Sequence, residues 1–283
     1  YFSSQDFWNN NVVDSSDNGF CSIKDSLSHL AWRNNQYIDS TKYIPMDNLN
    51  NKIILDYGCG PGNDLINISI LSKPKKLLAV DVSQKAIIRA KHRIKLHNLD
   101  IDFLKINENQ KIKDIKDNSL DVIHSNGVLH HIKDLEIIFN EFHRMLKDDG
   151  YAQVMVYNRE SIWFHLHVAF EMKIKRNLFK NSNSEEVFRR TTDGFNCPVS
   201  VCYTPKNFIK LCRDHNFNCE LIGISMSLFE MSKLNMIWEA LKSKELEKES
   251  VDFLKEITFN NRGLPIYKRN NAGINSYFKL TKF

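Results

Sequence analysis

The sequence predicts an α/β fold built on a doubly wound, mostly parallel sheet, and three observations carry that reading. Between Ile53 and Asn158, short β-branched runs alternate with segments of helical period, which is the pattern of parallel βα units. The first run, Ile53-Ile54-Leu55-Asp56-Tyr57, passes directly into Gly58-Cys59-Gly60-Pro61-Gly62. Glycines at alternate positions let the backbone take conformations that a β-carbon forbids and let it approach a ligand closely. The next apolar run, Leu77-Leu78-Ala79-Val80, ends on Asp81, and an acid at that position accepts hydrogen bonds from the ribose of nucleotide-type ligands.

The elements follow in order. Residues 23–44 read as one or two amphipathic helices that stop at Pro45. Strands are expected at 53–57, 77–81, 101–105, 121–125 and 152–157, and helices at 63–71, 83–96 and 134–147, with Ser83 and Asp134 as N-caps. Asp148-Asp149-Gly150 reads as the turn into the fifth strand. A long helical segment at 161–175 is followed by a polar stretch at 177–186 with no core pattern. Thr204-Pro205 opens a helix to His215, then come a strand at 219–225, a strongly helical segment at 228–254 and a closing strand at 276–282. No internal repeat and no low-complexity tract interrupts this order.

Composition narrows the class of protein. With 283 residues, 42% of them hydrophobic and 11% aromatic, the chain can bury a substantial core. The net charge of +5 comes from 39 basic and 34 acidic residues dispersed along the chain, so charge alone gives little support to a nucleic-acid partner. The six cysteines form no C-x-x-C pair and no tight Cys/His quartet, so no metal site is expected and reduced thiols in a cytoplasmic protein are. No apolar run approaches the ~20 residues that span a bilayer, and no secretory-type stretch is read near the start. Because the chain opens on Tyr1 rather than Met, native residues are expected to precede it.

A glycine turn with a downstream acid is shared with dinucleotide enzymes. Here the spacing is Gly58-x-Gly60-x-Gly62, Asp56 precedes the turn, and Ser125-Asn126-Gly127-Val128-Leu129-His130-His131 follows the fourth strand. In these motifs and their order the chain resembles the class I S-adenosylmethionine (SAM)-dependent methyltransferases, and in particular the small-molecule group that includes the ubiquinone and menaquinone enzymes. The resemblance covers about half the chain. It implies a doubly wound, seven-stranded Rossmann-like methyltransferase sheet, mostly parallel with an antiparallel last strand, and a mainly helical inserted cap. The organisation it implies is an N-terminal helical segment (1–50) covering the cofactor site, a SAM-binding core (51–158), an insertion forming a substrate cap (159–203), and completion of the sheet (204–283) with a helical insertion at about 226–275.

For the cofactor SAM, the resemblance places the methionine moiety and ribose against Gly58, Cys59, Gly60 and Gly62, and the ribose hydroxyls on Asp81 with Val82 beside it. Asp56 would take the amino group directly or through water. Arg33, on an N-terminal helix, would reach the carboxylate, although an Arg there also reads as a surface-paired charge. Family members often place an Asp after the third strand for the adenine amino group; this chain has Ile106-Asn107-Glu108, where Asn107 can still accept through its carbonyl. Ser125 and Asn126 close the site after the fourth strand.

On the acceptor side, His130 and His131 stand where the family places acceptor-facing residues, and a neutral imidazole suits a general base. The alternative has one His packed under the sheet edge and the other capping a helix. Residues 189–203 combine turn chemistry with many hydrogen-bonding groups; Thr192, Asp193 and Tyr203 there, with Tyr157 and Asn158 at the end of the fifth strand, are the candidate substrate contacts. The expected activity is methyl transfer to an oxygen or nitrogen of a small or medium-sized metabolite, with no membrane partner and a homodimer left open. A nucleic-acid (RNA) methyltransferase, a NAD-linked oxidoreductase and a non-catalytic SAM-binding subunit remain the alternatives. The chain lacks the Asp/Asn-Pro-Pro-Tyr motif used for base amino groups.

Overall fold

The computed structural model describes residues 3–13, 19–104, 106 and 111–283. Its main sheet has eight strands: β1 (Tyr37–Ile38), β2 (Ile53–Tyr57), β3 (Lys76–Val80), β4 (Asp102–Phe103), β5 (Leu120–Asn126), β6 (Leu146–Tyr157), β7 (Phe217–Ser227) and, after three short strands outside this sheet, β11 (Asn275–Lys282). The spatial order is β1-β7-β11-β6-β5-β2-β3-β4. Strands β4, β3, β2, β5 and β6 run parallel, and β11 inserts antiparallel between β6 and β7. This is the expected seven-stranded sheet with an antiparallel last strand; β1, paired antiparallel with β7, adds an edge strand too short to leave a periodic signal.

Both faces of the sheet are covered, so its central strands are apolar at consecutive positions rather than alternate ones. Leu55, Tyr57, Leu78 and Val80 join Ile123, Phe139, Phe142, Phe208 and Phe278 on one side. Ile54, Leu77, Ala79 and Val122 point the other way, onto Leu65, Ile66, Ile68 and Ile87. The inserted segments have cores of their own, one joining Ile162, Leu166 and Phe170 to Met226, Ala240 and Phe253.

Several elements differ from expectation. Ser83 caps the helix Gln84–Leu96 by accepting from Ala86 N–H, as predicted. Asp134 precedes the helix Leu135–Met145 but makes no capping hydrogen bond. The Asp148-Asp149-Gly150 turn is instead a bulge inside a long β6, where a β-carbon on Gly150 would lie 2.9 Å from Leu120 O. The long helix is a π-helix, Trp163–Lys175, with Arg176 N–H donating to Glu171 O five residues back. Part of the polar stretch and the start of the expected loop fold as the helix Ser184–Thr192, capped by Asn183 and buried through Val187 and Phe188. The strongly helical segment at 228–254 folds as four short helices, Leu228–Met231, Leu234–Met236, Ile237–Lys242 and Lys248–Glu256, followed by a small antiparallel sheet of β8 (Thr258–Phe259), β9 (Pro265–Tyr267) and β10 (Asn270–Asn271).

Candidate active site

The carboxyl ends of β2, β3, β5 and β6 open into a cavity of about 720 Å³, the position at which doubly wound sheets bind ligands. Gly58, Cys59, Gly60 and Pro61 form its floor, whereas Gly62 lies outside the lining, at the start of the helix Asn63–Leu71 against Ala90. Gly58, Gly60 and Gly62 all have positive φ (80°, 52° and 85°), and the N–H groups of Gly58 and Cys59 both donate to Val80 O, clamping the turn onto β3. At Gly58 a β-carbon would sit 2.3 Å from Val128 Cγ2, so glycine is required there for space as well as for conformation. Cys59 is buried on the wall, and burial pushes its thiol pKa well up, which keeps it protonated and unreactive.

Three acids surround this floor. Asp81 lines the cavity; its carboxylate accepts from Gly60 N–H (2.8 Å) and Ser83 N–H (2.7 Å), while burial outweighs these bonds and raises its pKa. Val82 stands beside it on the wall. Asp56 is 2% exposed, and its Oδ2 has no hydrogen-bond partner among the described residues. Burial first, and the neighbouring Asp64 and Asp81 next, push its pKa up to about 7. An orphaned buried carboxylate oxygen at a cavity is an unmet demand for a cation or donor.

Asp64, in the first turn of the helix Asn63–Leu71, was not anticipated. It accepts from Arg33 (2.8 Å), His124 Nε2 (3.0 Å) and Asn126 Nδ2 (2.8 Å). Burial opposes its ionisation, but Arg33 and the His124 bond outweigh that and hold its carboxyl well below the usual range. The Gln153 amide donates to Pro45 O (3.2 Å) and meets His124 Nδ1 at 2.9 Å, so Nδ1 accepts and the ring proton sits on Nε2, facing Asp64. Arg33 therefore lines the cavity as expected, but its guanidinium is engaged with Asp64, and Asn126 reaches the wall through the same acid.

The acceptor end is built by the short 3₁₀ turn Leu129–His131, the end of β6 and the segment after the helix Ser184–Thr192. His131 lines the cavity, its Nδ1–H donates to Val199 O (2.8 Å), and its Nε2 stands 3.7 Å from Asp193 Oδ1. Burial lowers its pKa, opposed by Asp193 and by the Val199 bond, so the imidazole is neutral and Nε2 carries a lone pair. Asp193 accepts from Tyr157 OH and Ser200 OH, both at 2.8 Å. The Trp8 ring, carried by the N-terminal helix Ser4–Asn10, lies 4.7 Å from the His131 ring and lines the same cavity.

Other sequence candidates fall elsewhere. His130 is fully buried, stacked on Tyr157 at 3.7 Å with its Nδ1 accepting from Tyr157 N–H, and does not line the cavity. The pair thus divides, with His130 a packing residue and His131 facing the cavity. Ser125 spends its hydroxyl on Tyr57 O, tying β5 to β2 behind the wall. Asn158 is buried and bonded to Glu160 and Gly273 backbone. Thr192 accepts from Trp163 Nε1, and Tyr203 packs on Phe208. None of these four lines the cavity. Asn107 lies outside the described residues. Trp8, Asp64, Tyr37, Pro198 and Val199 line the wall without having been singled out. Of these only Asp64 carries a local signal, as an acid in the first turn of the helix that follows the glycines.

One further grouping is present. The ligand-type atoms of His131, Asp193 and Cys197 all lie within 4.8 Å of one another. Both His131 Nδ1 and Cys197 Sγ point their hydrogens at Val199 O, so the two atoms facing each other are already engaged.

The glycine floor, the orphaned acid and the acid after β3 define the class of protein, and comparison with known proteins agrees. A family model described as a methyltransferase domain matches residues 48–198, a little over half of the chain. The chain belongs to this family, as a class I SAM-dependent methyltransferase, and its cofactor is S-adenosylmethionine. Among curated proteins it is 30% identical over 111 residues to a ubiquinone biosynthesis O-methyltransferase of Pelagibacter ubique, a match covering 39% of this chain and 44% of that one. Among solved structures it is similar in fold to a possible histamine N-methyltransferase of Thermotoga maritima (TM-score 0.53, 15% identity, 99% of this chain and 100% of that one). It also resembles the YcgJ protein of Bacillus subtilis (TM-score 0.51, 15% identity, 84% and 95%). A third similar fold is phosphoethanolamine N-methyltransferase 2 of Haemonchus contortus (TM-score 0.53, 15% identity, 100% and 60%).

Proposed function

We propose that this chain transfers the methyl group of SAM to an oxygen or nitrogen of a small or medium-sized metabolite. The observation that supports this most is a single cavity that joins an unpartnered Asp56 carboxylate, on the glycine floor, to an unprotonated His131 Nε2 at its other end. The first suits the cofactor's amino group and the second suits removal of a proton from an acceptor. When bound, SAM supplies an electrophilic methyl on a sulfonium. The protein's own residues then have three tasks: Asp56 and Asp81 hold the amino and ribose groups, Trp8 and Val199 exclude water, and His131 takes the acceptor's proton.

Residues 159–203 contribute Asp193, Pro198 and Val199 to the wall, and this segment with the N-terminal helix is the acceptor cap in our reading. From 226–275 only Asn275 reaches the cavity, so that insertion supports the cap from behind. Similar proteins are named for both O- and N-methylation, and likeness therefore leaves the acceptor atom open. Six free thiols suit a reducing compartment such as the cytoplasm, and no helix of the described residues is long and apolar enough to cross a membrane.

The test is thermal unfolding with S-adenosylhomocysteine (SAH). At a hundred times Kd, stabilisation is about 2.7 kcal/mol, a Tm rise of roughly 5–10 °C for a chain of this size. No shift up to millimolar SAH removes the reading.

A further inference from the structure

At the acceptor end, His131 and Asp193 present two hydrogen-bond acceptors to the same point. His131 has committed its only ring proton to Val199 O, and its Nε2 faces Asp193 Oδ1 across 3.7 Å with no proton of its own between them. The partners of Asp193 are the neutral hydroxyls of Tyr157 and Ser200, and among the described residues no Lys or Arg forms an ion pair with it. The space beside this pair is lined by two aromatic rings, Tyr157 and Trp8, both in contact with His131. A carboxylate without a cation, a ring lone pair and aromatic walls together select a positively charged donor with more than one N–H.

Resting on the methyl-transfer reading, we propose that the acceptor is a primary or secondary amine, taken up as its ammonium between Asp193 and His131, rather than an alcohol, a phenol or a carboxylate. Charge decides between nitrogen and oxygen. Methylating an oxygen requires negative charge to develop on the acceptor as its proton leaves, directly beside Asp193, which disfavours it. Methylating an amine ends with a methylated ammonium, whose positive charge Asp193 stabilises. The ammonium gives one proton to His131 Nε2; the freed nitrogen lone pair forms the N–C bond while the methyl–sulfur bond breaks, its electron pair leaving on sulfur. His131 becomes an imidazolium paired with Asp193 until it returns the proton to solvent.

The test is binding of three probes with one skeleton to SAH-loaded protein by calorimetry at neutral pH: 2-phenylethylamine, 2-phenylethanol and phenylacetate. An ammonium hydrogen-bonded to a partly buried carboxylate is worth about tenfold or more in affinity, so the amine is expected to bind at least about tenfold tighter than either analogue. In Asp193→Asn, which keeps the side-chain shape, this preference collapses while the SAH Kd is unchanged. Alcohol or phenylacetate binding as tightly as the amine, no measurable amine binding, or a preference that survives Asp193→Asn overturns the proposal. SAH is titrated first. Absence of SAH binding defeats the methyl-transfer reading itself, whereas SAH binding without amine preference defeats only the amine assignment.

Discussion

At the scale of single residues, the site trades stability for binding. Asp56 is ionisable, buried and has an unpartnered oxygen; its pKa of about 7 lies above that of an exposed Asp. If Asp56 receives the ammonium of SAM, as we propose, its pKa falls on binding, and binding releases a proton wherever Asp56 is protonated in the free protein. SAM affinity is therefore expected to rise with pH up to about 7 and level off above it, which calorimetry across pH 5.5–8.5 checks. Asp56→Asn removes this dependence and weakens SAH by about 10–100-fold, the worth of a charged hydrogen bond. For His131→Gln the expectation differs: turnover falls by roughly 10²–10⁴ for loss of a general base, while SAH affinity holds. Equal turnover in wild type and variant refutes the base. Gly58→Ala brings a β-carbon against Val128 at a positive φ, and a loss of about 1–3 kcal/mol together with loss of SAH binding is expected from denaturant titration.

At the scale of elements, the N-terminal helix Ser4–Asn10 reaches the site from far away in sequence. Its Trp8 carbonyl and Asn9 side chain both meet the Ser83 hydroxyl, so the residue that caps the helix after β3 also moors this segment. Residues 3–13 place Ser3, Ser4, Trp8, Asn11, Val12 and Val13 on the wall. With Phe7 as its one buried side chain, the helix contributes little core. Deleting residues 1–13 is thus expected to shift Tm by only a few degrees while abolishing acceptor binding, and Tm and acceptor calorimetry on the same sample separate the two effects. The helix Pro205–Asp214 shows how legible a strong element is: Thr204 caps it on Asn207 N–H and Pro205 occupies its first turn, as the sequence predicts. The bulge at Gly150 was illegible for the opposite reason. The Asp-Asp-Gly run has turn chemistry, and only the pairing of its flanks with β5, Leu146 on Leu120 and Tyr151 on Val122, holds it inside the strand.

At the scale of the whole molecule, buried acids set a pH dependence. Asp56 and Glu230 both titrate near 7 because burial raises them, and Glu230 holds Ser227, Trp163 and Ile274 backbone together where the insertions meet the sheet. A raised folded-state pKa contributes stability that is complete below the unfolded value near 4 and is lost as pH climbs through about 7. Glu171, pulled down to about 2 by Lys233, His167 and Arg176 against burial, acts oppositely, losing its contribution only as pH falls below about 4. The free protein is therefore expected to lose stability between about pH 5 and 7 and to level off above it, measured as unfolding midpoints in urea, and Asp56→Asn is expected to flatten part of that slope. A slope unchanged in the variant refutes the assignment to Asp56.

The sequence by itself determined the sheet, the turn and the cofactor, because those depend on interactions close along the chain: apolar runs that must be buried on two faces, glycines at positive φ, an acid at a strand end. Tertiary structure alone decided what each polar group near the site is spent on. Adjacent histidines look equivalent in a string of letters, yet the turn Leu129–His131 buries one under Tyr157 and presents the other to the cavity. Arg33 and Asp64 are distant in sequence and meet only because two helices pack together. Asp193 acquires its place opposite His131 only when residues 197–201 cross the end of β6 and fix Val199 O onto the imidazole. Hydrogen-bond acceptors and donors are satisfied by whatever the fold brings within about 3 Å, and the partners of His131 and Tyr157, Val199 and Asp193, are distant in sequence.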